Sequence, residues 1–469
     1  VADAGDDFWN GGEGWEPIPL LINAEFNGNG YTLSNLNINR VGENIGLFSV
    51  VENSIITSIN FDNVSINALN DGFVEGVGTL VGYLKNSSVY DTTAHSVNVV
   101  YENRVDRTGL LIGQIYGNSA DDIELQGIET SGSILPEGLQ WGNEMGGVVG
   151  YARAQSTNGI VLQNISSVSE VRGGNDIGGV IGYAYNVSAT NLNADTICNA
   201  YHQDCGGVIG QAYLTQISWA TVTGNIGGGN ISGNAGGIVG RLDNGSIQST
   251  SFDGDVYMNN DSGGTGGLLG SGQGVDITDS YARGNVTGMN RVGGLIGMLY
   301  MGQGYAPSLI ERTYSVSLVS GSIAEGGLIG TSINYYSEVT AGDIAATVIS
   351  SYWDTEVSGL VISVGGEGKT TFDLQCSTMP GDVTCDASMY ADWDEITWGF
   401  GTSSDYPVLV GDEDSDGVRN DLDVDDDNNG LIEIATLQEL DLMRYDSAGT
   451  SLNGDSTGCP ATGCNGYEL

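Results

Sequence analysis

The sequence predicts an all-β fold: a parallel, right-handed β-helix solenoid of about ten coils, with a C-terminal cap and a calcium-binding connector. Three observations predict it. A glycine-bracketed aliphatic motif recurs at a spacing of 27 to 37 residues. Each period holds short strand-like pieces and no 10–12 residues of helical spacing. Near the end, carboxylates alternate as they do in a cation-binding loop. Composition agrees. Glycine is abundant, 75 of 469 residues against 7 prolines, but lacks the strict third-residue period of collagen. With 40% of residues apolar and clustered at regular intervals, a disordered chain is excluded.

Residues 1–40 read as an N-terminal cap and the entry into the first coil, a reading that the family resemblance given below places on Phe26–Leu36. Residues 41–350 carry the repeat. Its clearest copies begin at Gly146, Gly178, Gly206, Gly236, Gly266, Gly293 and Gly326, each reading Gly-Gly-aliphatic-aliphatic-Gly. Variants begin at Ile45, Gly78 and Gly109, and the mean period is about 31 residues. After each motif comes a polar turn, then a strand-like piece such as Ile277-Thr278-Asp279-Ser280-Tyr281, then a third piece such as Asn285-Val286-Thr287. One coil cannot bury its aliphatics alone, but coils stacked at about 4.8 Å can. Parallel crossovers of this kind are expected to be right-handed. The adjacent aliphatic pair is a puzzle. Neighbours on a strand point to opposite faces, so one must face outward or the strand must bend there.

These copies resemble the GLUG motif of bacterial surface and secreted proteins, which also occurs in some immunoglobulin A peptidases and haemagglutinin-like adhesins. The resemblance spans nearly the whole chain. Ser351-Tyr352-Trp353-Asp354-Thr355-Glu356, Trp398-Gly399-Phe400-Gly401 and Tyr406-Pro407-Val408-Leu409 are similar to the family's closing segment, which makes 351–410 a C-terminal cap. The motif is architectural, so the resemblance implies a surface location more strongly than any activity.

Residues 411–434 hold nine of the 59 acidic residues within positions 411–430. Asp412, Asp414, Asp416 and Gly417, followed by Asn420 and Asp423, form an Asp-x-Asp-x-Asp-Gly pattern. Asp425, Asp427, Asn429 and Gly430, followed by Glu433, form a second loop. Alternating carboxylates converge on one hard cation while glycine permits the turn, so calcium is the expected ligand. A solvated acidic linker is the alternative. The pair of loops resembles thrombospondin type 3 or EF-hand-like repeats. Residues 435–469 begin with a capping box, Thr436-Leu437-Gln438-Glu439, and one short helix. This segment reads as the start of a module whose end resembles Val1–Trp9. The expectation is one period of a tandem array, or a subunit that polymerises head to tail; a plain segment boundary is the alternative.

Six cysteines fall in close pairs, Cys198/Cys205, Cys376/Cys385 and Cys459/Cys464. Three small-loop disulfides and an oxidising compartment are the expectation. Zinc is the rival, disfavoured by the absence of CxxC and by only two histidines. A net charge of −46, with only Lys85 and Lys369 as lysines, argues against nucleic acid and anionic membranes and favours high-salt tolerance or divalent cations. No apolar run of 18 residues predicts a membrane span. No signal peptide opens the chain, which reads as a mature form or an excised segment.

No H-E-x-x-H, Gly-x-Ser-x-Gly or phosphate-cradling loop is present, and His95 and His202 are isolated, so no enzyme is expected. The enzymatic rival is a carbohydrate-active β-helix using a carboxylate pair. Seven tryptophans concentrate toward the ends and are expected to pack the caps rather than bind sugar. Sequons at Asn63, Asn86, Asn164, Asn186, Asn230, Asn244, Asn260 and Asn285 arise from composition and leave glycosylation open. The expectation is an extracellular or cell-surface structural or adhesive protein, whose partners are neighbouring copies of itself and host or matrix glycans. The alternative is a secreted carbohydrate-binding or carbohydrate-cleaving β-helix.

Overall fold

The structure is a computed structural model that describes residues 9–40, 42–68, 74–101, 104–118, 122–138, 142–155, 159–228, 233–259, 263–334, 345–375, 389–400, 405–411, 420, 422–425, 430–434, 436–460 and 462–468. It divides into two compact units, residues 1–370 and 371–469. The first is a β-solenoid of about ten turns. Every ladder between its successive coils is parallel, for example Val187–Ala200 on Gln216–Gly228.

One coil illustrates the rest. Asn175–Gly178 belongs to a nine-stranded sheet made of one short strand from each coil. The chain bends at Gly179 and Val180, then runs as Ile181–Tyr185 in a 26-stranded sheet. Asn186, at φ 58°, turns the corner into Val187–Ala200, and Asn191, at φ 53°, bends that long strand again. The sequence predicted three short pieces per period. The second and third are instead continuous across corners in several coils, as in Leu269–Thr287, because a single left-handed residue bends the strand without ending its ladder.

The left-handed residues themselves stack. Asp91, Gly127, Asn164, Asn191, Trp219, Ser249, Asp279 and Arg312 all have φ between 48° and 65° and occupy one register position in successive coils. Asparagine side chains bridge some coils at the corners: Asn191 donates to Asn164 at 2.8 Å and Asn86 to Asn118 at 2.8 Å. Asparagine tolerates this backbone and bonds along the axis, which accounts for its abundance at corners. Sequon residues Asn63, Asn86, Asn164, Asn186 and Asn244 are all such corner residues.

The aliphatic pair is resolved by the bend. In the copy Gly206–Gly210, both Val208 and Ile209 are fully buried, as are both members of the other clear pairs. The strand turns a corner between them, so both point inward. The glycines are required by close approach. A Cβ on Gly206 would lie 2.0 Å from Ile209 O in its own coil, one on Gly207 2.1 Å from Gly237 O in the next coil, and one on Gly210 2.5 Å from Ile177 N in the previous coil. The three glycines thus pack against their own coil and the coils on both sides. Hydroxyls inside the third face serve the carbonyls at this bend: Thr130 donates to Gly147 O, Ser167 to Gly179 O and Thr196 to Gly207 O, at 2.8, 2.9 and 3.2 Å. Buried carbonyls left without partners would cost about 1–3 kcal/mol each.

Tryptophans pack at both ends of the first unit. Trp15 packs on the core and donates to Leu47 O, and the Trp353 ring lies over Gly327, the last motif's second glycine. Trp353 Nε1 donates to Leu360 O. Trp219, by contrast, sits half-buried at a mid-solenoid corner. Trp393 and Trp398 pack with Tyr390 and Phe400 in the second unit.

Candidate functional site

Of the expected calcium ligands, Asp412, Asp414, Asp416, Asp427 and Asn429 lie outside the described residues. Asn420, Asp423, Asp425 and Glu433 are described, and the last three are woven into one small core. Val424 N donates to Thr457 O, Glu433 N to Val424 O, and Ile432–Glu433 pairs in parallel with Tyr467–Glu468. Val424, Ile432, Ile434 and Cys464 are buried together beneath it. Val424, Ile432 and Ile434 therefore share a core with Leu452, Cys459, Cys464 and Tyr467.

Asp425 is fully buried. Its Oδ2 accepts from Gly430 N at 3.0 Å, and its own N donates to Asp423 Oδ1 at 2.8 Å. The first bond brings the two ends of the loop 425–430 together, with Gly430 at φ 85° making the turn. Asp423 Oδ2, Asp425 Oδ1 and Glu433 Oε1 are screened from water. Placing ionised carboxylates away from water is unfavourable unless positive charge or donors face them. A buried carboxylate such as that of Asp425 suits a hard cation such as calcium, but Asp423, Asp425 and Glu433 do not bring one oxygen each within 4.8 Å of one another, so the described residues alone do not form the expected site. Two sulfurs also lie within 4.8 Å of the Asp425 carboxylate, but Cys459 and Cys464 are joined in a disulfide and are not ligands. Among the described residues no other cluster of three His, Cys, Asp or Glu side chains is that tight.

Cys198 and Cys205 are also bonded, inside the solenoid where Val187–Ala200 turns into Cys205–Gly206. Cys376 and Cys385 lie outside the described residues.

A second cluster was not anticipated. Arg107, Glu144, Asp176 and Asp204 occupy one register position in four successive coils, each two residues before a motif glycine. Arg107 bonds Glu144 at 2.9 Å, and also Glu75 and Gln114. Asp204 accepts from Asn234 N and Nδ2 at 2.9 and 2.6 Å. Burial pushes Asp204 up to about 6, against the pull of Asn234 and Arg241. Burial also holds Asp176 well above the ordinary carboxylate range, and Asp204 and Glu144 add to it. Counting back two residues from each motif copy picks out these positions in the sequence, but no fixed residue type there marks them as a cluster.

The two histidines stay apart: His95 lies 3.7 Å from Glu129 and 3.3 Å from Ser131 Oγ, while His202 N donates to Gly174 O in another coil.

Among the described residues, no helix is long and apolar enough to cross a membrane. No family model matches the chain, and no solved structure matches it. A stretch of 113 residues is 35% identical to Halomucin of Haloquadratum walsbyi (strain DSM 16790 / HBSQ001). That stretch is 23% of this chain and 1% of Halomucin, so the chain spans a small fraction of the relative it resembles.

Proposed function

We propose that the chain is an extracellular structural element, a β-solenoid of GLUG type that joins neighbouring copies head to tail and whose second unit is stiffened by calcium. The observation that carries the reading is the first coil. Its strand Ile18–Ile22 pairs with Phe48–Glu52 along one side, and among the described residues no strand covers its other side. Ile18, Leu20 and Ile22 are exposed there, and Tyr31 in the same coil is exposed at 77%. At the far end of the same unit Val361 and Ile362 are exposed at 84% and 62%. Open edges with apolar side chains favour addition of another strand, and an end-to-end contact that does not close yields a filament or tandem stalk. Two disulfides and the likeness to Halomucin support a location outside the cell. Within the solenoid, the polar groups are spent on coil-to-coil bonding rather than converging on one reacting point, which supports a structural role over catalysis.

Electron microscopy and sedimentation of the protein with calcium and with chelator test the reading. Filaments or end-to-end dimers in calcium, shortened by Leu20→Asp, are expected. Discrete monomers under both conditions would remove polymerisation and leave a monomeric stalk. In the same samples, chelation should expose residues 411–434 to protease while the solenoid stays resistant; an unchanged cleavage pattern would remove calcium.

A further inference from the structure

We propose that the outward face carrying Tyr83, Tyr116 and Arg153 binds an acidic, carboxylate-bearing polysaccharide laid along the coil axis. Three consecutive coils contribute. Tyr83, Gln114 and Tyr151 are register partners, as are Lys85, Tyr116 and Arg153 one step along the same strands. All of these but Lys85 border an open groove of about 420 Å³, whose wall also carries Glu43 and Glu75. Arg107 forms part of the wall, but Glu75 and Glu144 neutralise it, Gln114 Oε1 accepts from it, and it lies 4.3 Å over the Tyr151 ring. Tyr183 covers the ring of Tyr151 as well, stacked at 5.1 Å. Tyr83 and Tyr116 stack on no other ring among the described residues.

Arg153 is the telling residue. The chain has 59 acidic against 13 basic side chains, yet among the described residues Arg153 meets no carboxylate. Its guanidinium touches the Tyr151 hydroxyl at 3.5 Å and faces the Tyr185 ring at 5.2 Å. Its Nε is screened from water and donates to nothing in the protein. With Nε closed off, it is the end-on pair of terminal nitrogens, of which Nη1 only brushes the Tyr151 hydroxyl at 3.5 Å, that suits a carboxylate from outside, taken with two parallel bonds. The flanking tyrosines offer what a pyranose needs, an aromatic body and a hydroxyl edge. A sugar polymer also matches the site's periodicity: the same two outward positions return every coil, at about 4.8 Å, close to the length of one sugar unit in an extended chain. The chain's overall negative charge opposes a polyanion at low salt. That repulsion is screened within about 3 Å at 1 M ionic strength, whereas a direct contact survives better.

Calorimetric titration of the whole protein at high salt tests this, using oligogalacturonate, a neutral xylo-oligosaccharide of equal length, and polyglutamate. Oligogalacturonate is expected to bind best. Arg153→Gln should weaken it about tenfold or more, the scale of a lost charge-assisted pair, and Tyr116→Ala by several-fold. Arg172→Gln, whose partner Glu170 lies elsewhere on the solenoid, should change nothing. Unchanged melting temperatures of the variants separate lost contact from lost fold. The proposal is overturned if oligogalacturonate does not bind, if Arg153→Gln binds it as well as the parent, or if the neutral sugar or polyglutamate binds equally. None of these outcomes touches the structural reading, which depends on end-to-end association.

Discussion

The solenoid and the second unit use the same polar, glycine-rich chemistry to opposite ends. In the solenoid each coil is templated by its neighbours: aliphatics stack in columns, corners stack on corners, and glycines let backbones touch. Stability there is shared among many equivalent contacts, as in other repeat arrays. The core around residues 424–467 contains four buried apolar side chains, one short parallel pair and a disulfide. A core that small cannot offset the entropy of ordering its loops and must rely on cross-links and, in our proposal, a cation. Repetition substitutes for core size only where the register can repeat.

The sharpest way to break this contrast is Gly207→Val. Its Cβ would meet Gly237 O, a backbone atom fixed by the next coil, so the cost should be about 3 kcal/mol or more and the central coils should unfold. Gly30→Ala is the counterpart. At φ 69° with no atom within 4 Å of the added carbon, it should cost only about 1 kcal/mol. Hydrogen exchange should show the first loss in the solenoid alone. Equal melting temperatures for the two variants would refute the templating account.

Asp204 sharpens the picture from inside the solenoid. Its carboxyl is raised from 3.8 to about 6 on folding. Both states are protonated below the lower value, so no penalty exists there. As pH rises between the two, the unfolded chain gives up its proton first and stability falls; above about 6 the full loss, about 3 kcal/mol, remains. Asp204→Asn keeps an acceptor for Asn234 and should therefore raise the melting temperature at pH 8 far more than at pH 4. A gain of equal size at both pH values would show that charge is not the cause.

The smallest effect compares the disulfides. Replacing Cys459 and Cys464 by serine should cost about 2 kcal/mol and open residues 424–468 to protease. The same loss at Cys198 and Cys205, replaced by alanine, is spread over a large cooperative stack and should leave its protease map intact. Matching cleavage patterns would mean that the second unit is sturdier than its core suggests.

Much of the solenoid was legible because its cause is local and repeated. The spacing of Gly206-Gly207-Val208-Ile209-Gly210 and its relatives gave the coil period, and the absence of helical spacing gave strands. The direction of Val208 against Ile209 was not legible, because period-two alternation assumes a straight strand and this one bends at the glycines. Nor was the column Arg107, Glu144, Asp176, Asp204. Those residues are about 30 positions apart and lie two residues before each motif, a place with no fixed residue type. For the connector, the alternation of Asp425, Asp427 and Asn429 raised the expectation of a cation loop. Nothing in it announced that Asp425 would be buried against the Cys459–Cys464 bridge.

By itself, then, the amino-acid order determined the strand content, the period and the inward columns, since each follows from hydrophobic spacing and glycine placement within one coil. Only the stacked structure decided which glycine meets which carbonyl, which carboxylates lose their water and which guanidinium meets no carboxylate. Those outcomes depend on atoms a full coil apart, and a linear pattern does not encode the register that brings them together.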